Sequence, residues 1–310
     1  MIDLTKFSES RSIISQIFFR IKYYLLRRLL KGSQVFFMNP SDIITRFTLA
    51  YNFHERVVYK LLRYIADNEH NEFMIDIGAN IGLTCSQTDG KFKNYYLVEP
   101  NPILFNILIA NTSVRLSNAR VKAYNVGLSD SKSISTLMIP KDNWGGAFIL
   151  QDNDYDLNTL LSKDGKNDLG DDEYLKQDIK LIPSEEFIKD VIKDLKSKSL
   201  NKGFIKIDVE GYEKIILRSI LPILQDNEIS CYIIFEQWNK DWSPEEFNDL
   251  LDVDVSYWLL DENDPDIRSF SGIFTIFKNL ILGKRITNKV KEVSEPPIIG
   301  NVLIKLDFGQ

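Results

Sequence analysis

Short apolar runs recur along the chain, and several of them end on an acidic residue. Runs of this length, bounded by glycine, asparagine or proline, are typical of strands buried in a parallel sheet. Amphipathic helical segments lie between them, so strand and helix alternate. The pattern predicts an α/β fold with a doubly wound, seven-stranded sheet. The predicted strands begin near residues 73, 94, 119, 202, 230, 255 and 301.

The alternation of strand and helix breaks between residues 134 and 182. Strands predicted at Ser135–Pro140 and Asp178–Ile182 flank the pair Trp144 and Gly145 and an acidic tract. The tract, residues 151–178, is rich in acids and is predicted to be a solvated, mobile loop. An aromatic residue beside flexible glycines is typical of a sugar-binding platform, so Trp144 and Gly145 are candidate substrate residues. The alternative for Trp144 is ordinary packing of a lid.

Residues 11–31 form a basic amphipathic pattern. Apolar residues recur there at helical spacing, and six cations occur with no acid between them. Such a helix could lie on an anionic membrane surface. The alternative is a helix that packs on the core or on a second subunit, as in a homodimer. We therefore divide the chain into an N-terminal helical region, residues 1–70, and a main domain, residues 71–310, with an insertion at about 134–182.

Composition narrows the choice of partners and compartment. The net charge of −6 disfavours nucleic-acid binding, which needs a basic face. Cys85 and Cys231 lie in apolar or helix-opening contexts, so we expect reduced core thiols and a cytoplasmic location, with membrane contact at the inner face through residues 11–31. No apolar run is long enough for a membrane span or a signal peptide. No metal site is predicted.

The most informative segment is the turn that follows the first predicted strand. Asp76 ends an apolar run, and Gly78 and Gly82 then open a helix. Glycine permits a tight turn and close approach of a ligand to the backbone. Asn80 stands where a dinucleotide fold of the NAD type would have glycine, which disfavours a pyrophosphate. Asp76 suits the amino group of a methionine-like ligand, although a plain strand-to-helix connection is the alternative.

Glu99 ends the second predicted strand, 23 positions after Asp76. An acid at this place in a doubly wound fold is typical of a ribose-binding residue. The alternative is a solvated acid at a strand end. Taken with the glycine turn, Glu99 makes S-adenosylmethionine the best candidate ligand.

A second cluster of charges ends the strand that begins near residue 202. Strand alternation places Lys206, Asp208 and Glu210 on one side of a strand that should be apolar on both faces. Buried charge is unfavourable, so these residues indicate a site at the strand end. The alternative is an ion pair that fixes the loop, and the two readings are compatible. Glu236 ends the next strand and is a further candidate.

Two polar residues are weaker candidates. Asn125 follows the third predicted strand, where a doubly wound sheet would place the adenine, although its side chain could equally cap the turn. His54 lies on a predicted helix before the first strand, where a lone histidine is more often structural than part of a site.

Four segments resemble the FkbM family of S-adenosylmethionine-dependent methyltransferases, in the family's order and over roughly residues 72–236. They are Asp76–Gly82, Val98–Pro102, Asn125–Asp130 and Ile205–Glu213. The resemblance implies a class I methyltransferase fold, which is Rossmann-like and seven-stranded. It also implies O-methylation of a hydroxyl on a sugar, glycolipid or polyketide.

The resemblance also implies a role for each matching residue. Cofactor-binding residues would be Asp76, Gly78, Ala79, Asn80 and Gly82 for the methionine part, Glu99 and Pro100 for the ribose, and Asn125 and Val126 for the adenine side, with Asp208 next to the transferred methyl. A hydroxyl is a poor nucleophile, so we hypothesise from the chemistry of methyl transfer that Asp208 or Glu210 is the base that takes its proton. Glu236 or His54 would be the backup base, and Lys206 would orient a carboxylate. His54 is also a candidate substrate residue.

The expected acceptor is a carbohydrate, either a bacterial surface polysaccharide or a lipid-linked glycan. The alternative acceptor is a small natural product of polyketide type. The alternative functions are a nucleotide-dependent oxidoreductase and a protein that binds the cofactor without catalysis.

Overall fold

The computed structural model of the chain describes most of its residues, with gaps. The described residues are 7–29, 42, 44–45, 48, 55–68, 70–88, 90–151, 153–163, 166, 168–170, 172–239, 242–252, 255–261, 274–275, 278–279, 281–282, 285–295 and 298–308. His54 and the end of the predicted basic helix, residues 30 and 31, lie outside this set, as does most of the segment between residues 262 and 284.

A nine-stranded mixed sheet organises the described part of the chain. Its order is β1-β12-β11-β13-β10-β9-β2-β3-β4. The strands are β1 Ser8–Ser12, β2 Phe73–Ile77, β3 Asn94–Val98, β4 Arg120–Tyr124, β9 Lys202–Ile207, β10 Ser230–Gln237, β11 Ser256–Asp261, β12 Arg285–Glu292 and β13 Gly300–Leu306.

All seven predicted strands form, and they lie side by side from β4 to β11. Strands β4, β3, β2, β9 and β10 are parallel, and β13 pairs antiparallel with β10. This is the expected class I methyltransferase arrangement. The predicted strand count is wrong, because β12 and β1 extend the sheet beyond β11.

Helices lie against both faces of the central strands. The helices of the described residues are α1 Ile13–Leu29, α2 Arg56–Asp67, α3 Leu83–Gln87, α4 Pro102–Arg115, α5 Leu157–Lys163, α6 Ser184–Lys196, α7 Glu213–Asp226 and α8 Glu245–Asn248. Neighbouring residues of β2 point to opposite faces, so Met74 packs with α2 and α4 while Ile75 packs with α6 and α7. Burial on both faces explains why the central strands read as continuous apolar runs.

The insertion forms a second, four-stranded sheet, in the order β5-β8-β6-β7. Its strands are β5 Gly127–Ser129, β6 Ser133–Pro140, β7 Phe148–Ile149 and β8 Tyr174–Pro183. The prediction of a mobile loop over residues 151–178 is wrong for the described residues. Helix α5 lies within that range, and its Leu160 and Leu161 are buried against Met138, Phe148 and Tyr174. Apolar residues between the acids supply this small core.

The N-terminal helix begins later than predicted. Residues Ser8–Ser12 form β1, which pairs antiparallel with β12, and α1 starts at Ile13. Arg11 therefore belongs to a strand and is buried, not on the helix. Among the described residues, no helix is both long enough and apolar enough to cross a membrane. Cys85 and Cys231 are free and buried, as predicted.

Candidate active site

The glycine turn connects β2 to α3 at the carboxyl end of the parallel strands. Gly78, Asn80 and Gly82 all have positive φ angles, of 83°, 51° and 76°. A Cβ atom on Gly78 would lie 1.8 Å from the backbone oxygen of Asp208, so only glycine fits there. Asparagine tolerates the left-handed region better than most residues, which explains how Asn80 can replace a glycine. The turn is therefore pressed against the loop that follows β9.

Glu99 stabilises this turn from the neighbouring strand. One carboxylate oxygen accepts the backbone N–H of Asn80 at 2.8 Å, and the other accepts that of Asn101 at 2.8 Å. Burial raises the pKa of Glu99 to about 7, and the two N–H bonds only partly offset that rise. Carboxylate oxygens each have a second lone pair, so Glu99 can still accept bonds from a ligand.

Asn125 holds the backbone after β3. Its side-chain amide donates to the carbonyl of Glu99 at 2.8 Å and to that of Pro100 at 3.1 Å. These bonds reach the loop after β3 and do not cap the turn that follows Asn125 itself. The adenine-side role of Asn125 and Val126 stays a prediction. The residues after them, Gly127 and Leu128, line the cavity described below.

Asp76 lies in β2, directly beside Lys206 of β9. Only 1% of Asp76 is exposed, and neither carboxylate oxygen has a hydrogen-bond partner among the described residues. Burial raises the pKa of Asp76 to about 6, against the opposing effect of the Lys206 charge. A buried carboxylate without a partner is unfavourable unless something else neutralises it.

Lys206 is the only described cation in the polar part of the site. Its ammonium group lies 2.6 Å from a carboxylate oxygen of Asp208 and 3.5 Å from one of Glu55. Burial alone would lower the pKa of Lys206, but Asp208, Glu55 and Asp76 together hold it well above its usual value. Lys206 therefore stays protonated and can orient Asp208, but it cannot accept a proton.

Sequence reasoning did not assign Glu55 to the site. Glu55 precedes α2 with a φ of 43°, and its carboxylate accepts a bond from the Thr84 hydroxyl at 3.4 Å. It belongs to the N-terminal region, more than 100 positions from Lys206, so no local pattern links the two residues. A non-glycine residue in the left-handed region just before a helix is a structural signal, which the sequence does not display.

Asp208 and Glu210 lie just beyond β9, on the loop before α7, because the strand ends at Ile207. The predicted strand alternation is thus wrong past that residue. The loop is held by Glu213, whose carboxylate accepts the backbone N–H of Val209 at 3.2 Å and that of Gly211 at 2.8 Å. Glu210 has a φ of 50°, a conformation that these bonds help to maintain.

The insertion also binds this loop. The amide of Asn153 donates to the carbonyls of Ile149 at 2.7 Å and Glu210 at 2.9 Å, and the N–H of Asp154 donates to Gly211 at 3.0 Å. The Tyr212 hydroxyl bonds the carbonyl of Gln151. The segment that we expected to be mobile is thus hydrogen-bonded to the loop that carries Glu210.

Three carboxylates converge where β9 and β10 end. Asp208, Glu210 and Glu236 each offer an oxygen, and these oxygens lie within 4.8 Å of one another. All three side chains are partly exposed to the cavity. The group can accept hydrogen bonds and protons from a bound hydroxyl compound.

Two adjoining cavities lie along the carboxyl ends of the strands. The first is lined mainly by apolar residues, including Leu128, Trp144 and Phe148, with Glu99 in its wall. The second is polar. They share a boundary formed by Gly78, Asn80, Gly145, Asp208 and Glu210.

The structure places Gly145 between Ile44 and Asn80. A Cβ atom on Gly145 would lie 2.2 Å from Ile44 Cδ1 and 2.6 Å from Asn80 Nδ2, so close packing explains this glycine. The N–H of Trp144 donates to Asp42 at 2.8 Å, a contact that the sequence did not suggest. Trp144 lies on the apolar cavity and Gly145 on both. Their role in substrate binding stays a prediction.

These features fit S-adenosylmethionine. The apolar cavity offers surface for the adenine, and Glu99 in its wall can accept bonds from ribose hydroxyls. Lys206 lines the polar cavity, and the buried Asp76 lies beside it without lining either cavity. The Asp76 carboxylate has no hydrogen-bond partner among the described residues, and a cationic amino group could supply one. The donors and acceptors present thus match the chemistry of this cofactor.

Comparison with known proteins gives similarities to methyltransferases. Methyltransferase sdnD of Sordaria araneosa is 26% identical over 182 residues, which cover 56% of this chain and 69% of that protein. A SAM-dependent methyltransferase structure from Agrobacterium tumefaciens has a TM-score of 0.38 and 7% identity, covering 87% of this chain and 63% of its own. A putative O-methyltransferase structure from Klebsiella pneumoniae has a TM-score of 0.40 and 9% identity, with coverages of 95% and 99%. Because both TM-scores are below 0.5, neither structure bears on the activity of this chain.

The family model is more informative. The model described as the methyltransferase FkbM domain matches residues 76–268, more than half of the chain. The match begins at Asp76 and includes the glycine turn, Glu99, the insertion and the Lys206–Glu213 segment. The family assignment makes S-adenosylmethionine the cofactor of this chain. The chain belongs to the family of FkbM-type methyltransferase domains.

Proposed function

We propose that the protein transfers a methyl group from S-adenosylmethionine to a hydroxyl of a carbohydrate, either a surface polysaccharide or a lipid-linked glycan. The observation that carries the proposal is the convergence of Asp208, Glu210 and Glu236 in a polar cavity next to the glycine turn. An ionised carboxylate accepts hydrogen bonds but donates none, so the cavity suits a ligand with many O–H donors. A sugar offers several such donors to these carboxylates, whereas an apolar polyketide would offer few.

The shared boundary of the two cavities is where we place the reaction. When bound, S-adenosylmethionine supplies an electrophilic methyl group on a positively charged sulfur. The adenosine part would occupy the apolar cavity, and the acceptor would enter the polar one. Asp208 and Glu210 line both cavities, so their carboxylates lie next to the point of transfer. Alignment of the hydroxyl oxygen, methyl carbon and sulfur is the main requirement of such a displacement.

A carboxylate removes the proton of the attacking hydroxyl. As the new O–C bond forms and the C–S bond breaks, the bonding electron pair goes to sulfur and the hydroxyl proton goes to Asp208 or Glu210. Lys206 holds the Asp208 carboxylate at 2.6 Å and acts as a positioning residue. Glu236 lies close enough to bind a neighbouring hydroxyl or to accept the proton in place of either acid.

Binding and transfer are tested separately. Calorimetric titration with S-adenosylhomocysteine measures cofactor affinity, and transfer of a radiolabelled methyl group to neutral oligosaccharides, lipid-linked sugars or polyketide-like alcohols measures activity. We expect Asp208→Asn or Glu210→Gln to lower turnover by about 100-fold or more, in the range of general-base catalysis, at nearly unchanged cofactor affinity. Glu245→Gln, at an exposed position on α8, is the matched control.

Each contrary outcome has a definite meaning. Near-normal turnover in both variants would overturn the assignment of the base. Methylation of the polyketide-like alcohols alone would replace the carbohydrate with a small natural product. Tight cofactor binding with no transfer to any acceptor class would favour a protein that binds the cofactor without catalysis.

A further inference from the structure

Helix α1 exposes an apolar face to solvent. Ile14, Phe18, Ile21 and Leu25 are 67%, 63%, 57% and 58% exposed. At about 100° per residue these four side chains fall within about 60° of arc, so they form one continuous stripe. Tyr24, 68% exposed, lies beside the stripe. Buried positions of α1 lie on another side of the helix, at Ile13 and Gln16.

The base of α1 is fixed to the fold. Strand β1, directly before it, pairs with β12, and its Glu9 is buried. The Glu9 carboxylate lies 3.0 Å from the Arg56 guanidinium and accepts a bond from Asn288 at 3.1 Å. These contacts join the start of the helix to α2 and to the edge of the main sheet. The exposed stripe therefore points outward from an anchored helix.

The charge of α1 differs from that of the chain. The helix contains four cations, Arg20, Lys22, Arg27 and Arg28, and no acid, although the whole protein carries −6. Pairing α1 with the same helix of a second copy would bring eight such cations together, which disfavours a dimer through this face. An anionic surface complements both the charge and the apolar stripe.

We propose that α1 binds in the plane of an anionic lipid bilayer. Ile14, Phe18, Ile21 and Leu25 enter the boundary between headgroups and acyl chains, and Lys22 and Arg28 contact lipid phosphates. The interaction does not depend on the identity of the acceptor, so it goes beyond the proposed function. It would bring the enzyme to the surface at which a lipid-linked acceptor resides.

Co-sedimentation of the full chain with vesicles tests this proposal. Vesicles of phosphatidylcholine alone are compared with vesicles that also contain phosphatidylglycerol. We expect binding to the anionic vesicles, weakened by salt, and a loss of about tenfold or more in the double variant Phe18→Ser, Ile21→Ser. The double variant Lys22→Gln, Arg28→Gln should lose the preference for phosphatidylglycerol.

Controls separate membrane binding from folding and from self-association. Ile134→Ser and Val114→Ser remove side chains that are 73% and 74% exposed on other elements, and they should bind vesicles as the wild type does. Urea unfolding checks that every variant is folded. Equal vesicle binding by the wild type and the Phe18→Ser, Ile21→Ser variant would overturn the proposal. A dimer in sedimentation velocity that the same variant dissociates would assign the stripe to a second copy instead.

Discussion

The side-chain amide of Asn153 donates a hydrogen bond to the backbone carbonyl of Glu210 across 2.9 Å. Asn153 belongs to the insertion and Glu210 to the loop that carries two candidate bases. The same amide also bonds the Ile149 carbonyl, so one side chain joins the insertion to the site. The position of the Glu210 loop thus depends on a residue outside the main sheet.

Replacing Asn153 with alanine should reduce both stability and turnover. Loss of the three partly buried hydrogen bonds made by this side chain, the third accepted from the backbone N–H of Tyr155, is expected to lower the free energy of unfolding by about 1 to 3 kcal/mol. Turnover should fall more than cofactor affinity, because the Glu210 loop is freed while the glycine turn is retained. Urea unfolding and methyl-transfer kinetics measure the two effects. Asn158→Ala, at an exposed position on α5, is the control, and an equal effect in both variants would contradict the prediction.

Gly211 should not tolerate a side chain. Its φ is 94°, and a Cβ atom would lie 1.9 Å from the Asn153 oxygen. Gly90 has a φ of 68° but no atom within 4 Å of such a Cβ, so Gly90→Ala introduces backbone strain without a clash. We expect Gly90→Ala to lower the free energy of unfolding by about 1 kcal/mol and Gly211→Ala to lower it by clearly more. Equal unfolding midpoints would disprove the predicted clash.

Asp76 should make the stability of the ligand-free protein dependent on pH. Its pKa rises from 3.8 to about 6 on folding, so folding favours the protonated acid. This contribution is complete below the unfolded pKa and is lost as the pH rises through about 6. Asp76→Asn removes the titration, so the variant should gain stability relative to the wild type as the pH rises over that range, by up to about 3 kcal/mol.

The measurement is the difference in unfolding free energy between wild type and Asp76→Asn across this pH range. Most other titrating groups contribute equally to the pH dependence of both proteins, so their contributions cancel in this difference. Parallel profiles would mean that Asp76 is not desolvated as the structure indicates. The same variant should bind S-adenosylhomocysteine more weakly, because the carboxylate that suits the amino group is gone.

Removing the Lys206 charge should be strongly destabilising. Lys206→Met leaves Asp208, Glu55 and Asp76 without their shared cation, and breaking a buried pair in this way typically costs about 3 to 5 kcal/mol. The loss should shrink as the pH falls below about 6, where the buried Asp76 carboxylate protonates. Lys193→Met, at an exposed position on α6, should change stability little. A loss that does not vary with pH would argue against the shared ion pair.

The sequence predicted the central sheet because its strands are buried on both faces. Residues such as Met74, Ile75 and Ile205 must all be apolar there, which produces unmistakable runs. Strand β1 has no such run. Its buried positions are the polar Glu9 and Arg11, and Glu9 is stabilised by Arg56, a partner distant in sequence. The strand therefore had no apolar pattern, and its residues were assigned to the N-terminal helical region.

The site was predictable where its residues follow a strand directly. The Asp76–Gly82 turn, Glu99 and the Lys206–Glu210 segment all occur at strand ends, which a parallel sheet brings to one edge. Glu55 and Asn153 reach the site from the N-terminal region and the insertion. Their contacts depend on how these segments pack, and no periodicity or spacing in the sequence records that packing.

Strand β13 lies between β10 and β11, although it is the last strand of the sheet to be synthesised. Strand β11 joins the central strands only through β13, and β1 is connected to β11 only through β12. During translation β1, the earliest in sequence of the described strands of this sheet, therefore waits for residues 300–306 before it can join the completed sheet. The newly made chain must keep its N-terminal segment, with the apolar stripe of α1, apart from other chains throughout that interval.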